Sequence, residues 1–305
     1  MPHEPDSTSQ PVIVLVHSPL VGPLSWAPVS QELRKHGVGT LLPVLDDHGN
    51  DAMPFWVQHA TAIAQNLESL PPDGGVILVG HSGAGPLLPA IGAFSPHPVA
   101  GYLFVDAGLP HPGRSLLDEI EAGMPEFGRE LRHELEAGGT FPQSPDEDLR
   151  DLIPDAGLRQ GVLAELQPGN LTFFEEQLPH VDRWPNAPCA YIRLSEGYDR
   201  AGQEAQRRGW SYREFDAGHF HMLVDAAGVA EAILQLAPLE DARTTVGRDS
   251  ERADGDVHDW GAESRRDGPR RRPGAGCSRT ACHHLRMSTG GMGTGAQRDA
   301  ARPRG

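Results

Sequence analysis

Apolar residues in the first 239 positions fall into short continuous runs, separated by longer segments with helical periodicity. Val12-Ile13-Val14-Leu15-Val16-His17 is such a run, and its unbroken apolar character predicts a strand covered on both faces. Comparable runs follow at Gly39–Leu45, Gly75–Gly80, Val99–Asp106, Cys189–Ser195 and Ser211–Phe215. Between them, Trp26–His36, Trp56–Leu70, Gly85–Phe94 and Gln203–Gly209 carry helical spacing. Strand and helix alternating in this way predict an α/β fold with a doubly wound, mostly parallel sheet and right-handed crossovers. The rhythm breaks over residues 107–188. Helical stretches there (Ser115–Ala137, Leu158–Leu166, Asn170–Leu178) are separated by Pro-rich breaks, which predicts a helical cap inserted over one end of the sheet.

After about Leu239 the pattern stops. The remaining segment is mostly Arg, Gly, Asp, Ala, Ser and Thr, and its few large apolar residues have no period. Such a composition buries too little surface to offset the entropy of ordering. The expected organisation is an N-terminal extension at 1–10, an α/β domain at 11–239 and a disordered Arg/Gly-rich tail at 240–305. The charge divides at the same place. Of 26 basic and 42 acidic residues, 13 arginines and 8 acidic residues lie from Ala242 onward, which leaves 13 basic against 34 acidic residues in 1–241. A field that negative repels nucleic acid and anionic membranes. The tail holds Arg270-Arg271-Arg272, and Cys277 followed by Cys282-His283-His284, but that cysteine–histidine spacing matches no metal-site pattern closely. No apolar run approaches the roughly 18 residues of a membrane span, and Met1–Gln10 lacks the regions of a secretory signal. Three cysteines do not make a disulfide framework. The expectation is a cytoplasmic protein acting on a small molecule, without nucleic-acid or membrane partners.

Three segments carry chemistry. Gly75-Val-Ile-Leu-Val-Gly80-His81-Ser82-Gly83-Ala84-Gly85 is a strand running through a small-residue turn into a helix. A sharp strand-to-helix turn exposes a serine Oγ, and its neighbours must be small to avoid clashes. The pattern Gly-x-Ser-x-Gly is met except that Ala84 takes the last position, with Gly85 one further on. Val16-His17-Ser18-Pro19-Leu20-Val21-Gly22 follows the first strand and leads to Trp26; Phe215-Asp-Ala-Gly218-His219-Phe220-His221 follows the last. Together, in this order, the three resemble the α/β-hydrolase fold family in its lipase, esterase and haloperoxidase-like branch, over roughly residues 11–238.

The resemblance implies an α/β-hydrolase fold lacking the usual first two strands. It implies Ser82 as nucleophile and His219, directly after Gly218, as general base in preference to His221. The chain order Ser…Asp/Glu…His leaves the acid open. Asp199, in the loop where the family most often carries it, comes first, Asp106 at the end of a strand second, and Glu196 third. One oxyanion donor is the N–H of Gly83. The second falls on Pro19, which has no N–H, so Leu20 or the Ser18 hydroxyl must substitute. The implied reaction is ester or thioester hydrolysis of a small apolar substrate through an acyl-enzyme, with no cofactor and no metal. Leu171, Phe173, Phe174 and Trp184 are candidate pocket lining. Other chemistries of the fold fit less well: haloalkane dehalogenases need an aspartate nucleophile, and the lysine of hydroxynitrile lyases has no counterpart, since Lys35 is the only lysine and lies in the first helix. A non-catalytic binder of a small apolar ligand is the alternative that Pro19 favours.

Overall fold

A computed structural model of the chain describes residues 10–45, 53–72, 74–143 and 146–239. Residues 1–9 of the N-terminal extension expected at 1–10, and the tail expected at 240–305, lie outside the described residues. Six strands, β1 (Val12–Val16), β2 (Thr40–Leu41), β3 (Val76–Ser82), β4 (Val99–Ala107), β5 (Cys189–Arg193) and β6 (Ser211–Glu214), form one sheet. The order is β2-β1-β3-β4-β5-β6 and every pairing is parallel. The strand expected over Gly39–Leu45 shrinks to two residues at the sheet edge. Pro43 stands two residues beyond its end and cannot donate to a ladder.

The continuous apolar runs are explained by cover on both faces. Ile13 and Leu15 of β1, Ile77 and Val79 of β3, Leu103 and Val105 of β4 and Ile192 of β5 enter one core cluster. There they meet α1 (Ala27–Lys35) through Val29 and Leu33. The alternate residues Val14, Val16, Leu78, Phe104 and Tyr191 enter a second cluster on the other face, against Ile63 and Leu67 of α2 (Phe55–Leu67) and Leu88 and Ile91 of α3 (Leu88–Phe94). Each fully buried aliphatic side chain contributes about 1.5–3 kcal/mol, so a one-residue slip of a central strand would exchange its two faces at large cost.

Between β4 and β5 the described residues hold two isolated bridges and the helices α4 (Leu116–Gly123), α5 (Pro125–Glu136), α6 (Asp146–Leu149), α7 (Ala156–Ala164) and α8 (Leu171–Glu175), joined by loops. The single helix expected over Ser115–Ala137 is two. Ser115 and Asp118 form a reciprocal capping box that starts α4, and Pro125 opens α5, because a proline without N–H is tolerated in a helix's first turn and not in its interior. Leu117, Leu131, Leu135 and Phe174 give these helices a small core of their own. After the cap come α9 (Asp199–Arg207), α10 (His221–Val224) and α11 (Ala226–Leu236). No helix among the described residues is long and apolar enough to cross a membrane.

Candidate active site

In an open α/β sheet the carboxyl ends of the strands form the natural crevice for a site. Here the ends of β1, β3 and β4 and the loop after β6 converge there. Ser82 ends β3 with φ of 56°, the left-handed backbone that a sharp turn demands of a non-glycine residue. The turn is possible because of what packs behind it. A Cβ on Gly85 would overlap the carbonyl oxygen of Gly108 and sit 2.8 Å from Ala107 Cβ, whereas Ala84 is accommodated fully buried. The close approach that demands glycine has therefore moved one residue along. This is the physical basis of the altered motif.

The histidine loop is reached through Phe215, whose N–H donates to the Arg193 carbonyl, and Ala217, whose N–H donates to Leu194. His219 is fixed from three sides. Its Nδ1–H donates to Asp106 Oδ2 at 2.7 Å, its ring stacks on Tyr198 with centroids 5.1 Å apart, and its carbonyl accepts from His81 Nε2 at 3.0 Å. His81 is wholly buried, and burial pushes its pKa well below the usual value, so it stays neutral. The hydrogen bond to Asp106 leaves the His219 Nε2 lone pair free to accept a proton.

The carboxylate beside the imidazole is Asp106, not Asp199. Asp106, the penultimate residue of β4, has φ of 43° and is 0 % exposed. Its Oδ1 accepts from the N–H groups of Leu194 (2.8 Å) and Ser195 (2.9 Å), and its Oδ2 from the Ser195 hydroxyl (2.6 Å) and His219. A buried carboxylate needs hydrogen-bond donors on both of its oxygens, and Asp106 has two on each. Asp199 is instead the first residue of α9, where the helix dipole favours a negative charge, and its 48 % exposed side chain pairs with Arg193 at 3.1 Å. Glu196 is exposed. His221 packs its ring on Phe215, 5.4 Å between centroids, at the start of α10.

Tyr198 carries no local sequence signal, yet its hydroxyl lies 3.1 Å from Ser82 Oγ. Burial and the nearby Asp106 charge push its phenol above the usual range, so it stays protonated and is able to donate to Oγ.

The loop after β1 is held by His17, fully buried, whose Nδ1–H donates to the Ser18 carbonyl (2.9 Å) while Nε2 accepts from Leu45 N–H (3.2 Å). Burial lowers its pKa and keeps it neutral for both roles. From the cap, Glu165 accepts from Leu24 N–H at 2.9 Å, and Gln167 N–H donates to the Leu20 carbonyl at 3.0 Å. Trp26 is buried beneath, donating Nε1–H to the Val16 carbonyl at 3.1 Å. The N–H of Leu20, expected as an oxyanion donor, is directed at the Ser18 hydroxyl, 3.4 Å away.

Ser82, Gly83 and His219 line a cavity of about 160 Å³ whose wall is mostly apolar, with Leu116, Ile120, Phe127, Phe141, Leu149 and Leu166 contributing. The lining expected from Leu171, Phe173, Phe174 and Trp184 is not found there. Phe174 is buried in the cap core with Leu171 and Phe173 packed on it, and Trp184 packs between Tyr102 and Trp210. Among the described residues no group of His, Cys, Asp or Glu side chains is gathered as a metal site.

A search of curated protein sequences finds no match. Solved structures share the fold: an extracellular α/β-hydrolase from a Paenibacillus species (TM-score 0.60, 20 % identity, 75 % of this chain and 99 % of that one), polyneuridine aldehyde esterase (0.56, 19 %, 74 % and 99 %) and a pyrethroid hydrolase from Sphingobium faniae JZ-2 (0.56, 20 %, 74 % and 96 %). The family model for the alpha/beta hydrolase family matches residues 13–232, spanning all six strands and the helices between them. The chain belongs to the α/β-hydrolase family.

Proposed function

We propose that the protein is a serine hydrolase that cleaves a small, largely apolar carboxylic ester through an acyl-enzyme. The observation that carries this reading is the 2.7 Å bond from His219 to a fully buried Asp106, beside a strained Ser82 in the wall of the same apolar cavity. Structural neighbours named as an esterase and a pyrethroid hydrolase support it.

In the proposed reaction Ser82 Oγ attacks the carbonyl carbon while His219 Nε2 takes its proton. With Tyr198 donating to Oγ, the serine's own hydrogen is available to His219. Asp106 holds the imidazole tautomer and stabilises the imidazolium as it forms. The Gly83 N–H, which has no backbone acceptor among the described residues, stabilises the carbonyl oxygen as it becomes negative. The carbonyl–alkoxy bond then breaks, and the leaving alkoxide takes the proton from His219. Water deprotonated by His219 attacks the acyl carbon, releasing the acid and restoring Ser82. A cavity of about 160 Å³ compares with the roughly 150 Å³ that holds a benzene ring, so a short acyl group fills it and a long one must extend beyond it.

The alternative, a binder without turnover, is favoured by one observation: Pro19 occupies the expected second oxyanion position. Steady-state hydrolysis of p-nitrophenyl acetate, butyrate and decanoate separates the two. The proposal expects turnover that falls at decanoate and is abolished in Ser82→Ala. Equal background rates for wild type and Ser82→Ala on all three esters contradict it.

A further inference from the structure

We infer that the Ser18 hydroxyl is the second oxyanion donor, completing with Gly83 N–H a hole that the backbone alone leaves half built. This inference rests on the acyl-transfer reading above. Acyl transfer places a negative charge on the substrate carbonyl oxygen, and the fold answers it with one N–H after the nucleophile and one from the loop after an early strand. In this chain that loop presents Pro19. Its Cδ occupies the place of the missing amide hydrogen and lies 3.6 Å from where a Gly83 Cβ would stand, so the proline turns a methylene toward the elbow.

Ser18 lies beside it. Its Oγ lies 3.3 Å from the same Gly83 Cβ position, closer than the proline ring, and the residue lines the cavity with Ser82 and Gly83 while only 3 % exposed. The Leu20 N–H donates to this oxygen. That single bond uses the hydroxyl as an acceptor and leaves its hydrogen without an acceptor among the described residues. It also removes Leu20 from the role expected of it. The backbone of Ser18 is fixed twice over, its carbonyl accepting from His17 Nδ1 at 2.9 Å and from Val21 N–H at 3.1 Å. A donor held this firmly needs little reorganisation when charge develops, which is the condition for strong stabilisation of an oxyanion.

The test is Ser18→Ala in the full chain, assayed on p-nitrophenyl acetate. Loss of one such donor lowers kcat by about 10²–10³-fold, with KM and melting temperature close to wild type. Ser18→Thr, which keeps the hydroxyl, retains kcat within about tenfold. Ser18→Ala combined with Pro19→Gly supplies a backbone N–H and recovers at least tenfold of the loss. Affinity for a trifluoromethyl ketone that forms an oxyanion on Ser82 falls by the same factor as kcat/KM in Ser18→Ala, whereas a merely structural change does not track it. An active wild type with Ser18→Ala within threefold of it overturns the Ser18 assignment alone. A folded wild type with no turnover on any ester overturns the acyl-transfer reading and this one with it.

Discussion

Replacing Asp106 by asparagine changes one atom of a fully buried group, and its consequences follow from the four bonds the carboxylate accepts. Oδ1, which takes the N–H groups of Leu194 and Ser195, has a counterpart in the amide oxygen. Oδ2, which takes the Ser195 hydroxyl and His219 Nδ1–H, becomes an NH₂. The Ser195 hydroxyl can turn and accept, but the imidazole N–H then faces another donor. One buried donor pair left unmatched costs about 1–3 kcal/mol. For a domain of this size that is roughly 2–12 °C in melting temperature. The effect on rate is larger, because the imidazole escapes the clash by adopting the tautomer with its proton on Nε2, where it cannot act as base. That error costs about four orders of magnitude in kcat, or roughly 5.5 kcal/mol of barrier. The assay is kcat on p-nitrophenyl acetate, with thermal melts, for Asp106→Asn and Asp199→Asn in parallel. Asp199→Asn loses only a half-exposed ion pair with Arg193, worth about 0–1 kcal/mol, and is expected within threefold of wild-type kcat. A crippled Asp199→Asn beside a nearly normal, folded Asp106→Asn would show that Asp106 does not orient His219.

His219→Ala is expected to remove nearly all turnover, whereas His221→Ala, which loses a ring contact with Phe215, keeps a substantial fraction; kcat for the two variants decides. Tyr198→Phe keeps the ring stacked on His219 and is expected to change kcat less than about tenfold, whereas Tyr198→Ala, which frees the imidazole ring, costs more; both are read against intact melting curves. At the rim of the cavity, His111 lies 3.0 Å from Glu119 of α4 and 2.9 Å from Glu204 of α9, and Glu119 first and Glu204 second raise its pKa above 6.5. A histidine pKa raised by folding stabilises fully below about 6.5 and progressively less as pH climbs through the folded value. The melting-temperature gap between wild type and His111→Gln is therefore expected to be widest near pH 5.5, reflecting roughly 1 kcal/mol for a pair this exposed, and to close toward pH 9; a gap that widens with pH is the contrary result.

The sheet was legible because burial on both faces leaves continuous apolar runs, and Ile13, Ile77 and Leu103 mark three of its four interior strands, while the cap showed as the segment where those runs stop. The last described helix, α11, carries a weak sequence signal because half of its buried face is alanine, Ala230 and Ala232 between Val229 and Ile233, which dilutes the apolar stripe. Its start was signalled by Asp225, whose side chain accepts from Gly228 N–H. The serine and histidine stand in local motifs, and local motifs are readable. The carboxylate beside the histidine is not local: Asp106 meets His219 across 113 residues of sequence, and the pairing of β4 with β5 and of β5 with β6 brings them together. A signal was available, since an aspartate closing the run Tyr102-Leu103-Phe104-Val105 is placed for burial, and a buried carboxylate demands partners. Tyr198 reaches Ser82 from a loop whose course depends on Asp199 starting a helix, and no spacing rule foretells that.

The proposed reaction requires Ser82 to be an activated nucleophile. Incubation of the folded protein with a fluorophosphonate, followed by peptide mass spectrometry, tests it most directly, because only an activated serine is phosphonylated. A single adduct on Ser82 is expected, absent in Ser82→Ala and formed far more slowly in His219→Ala and Asp106→Asn. A folded wild-type protein that acquires no adduct, or acquires one at the same rate in His219→Ala, contradicts it.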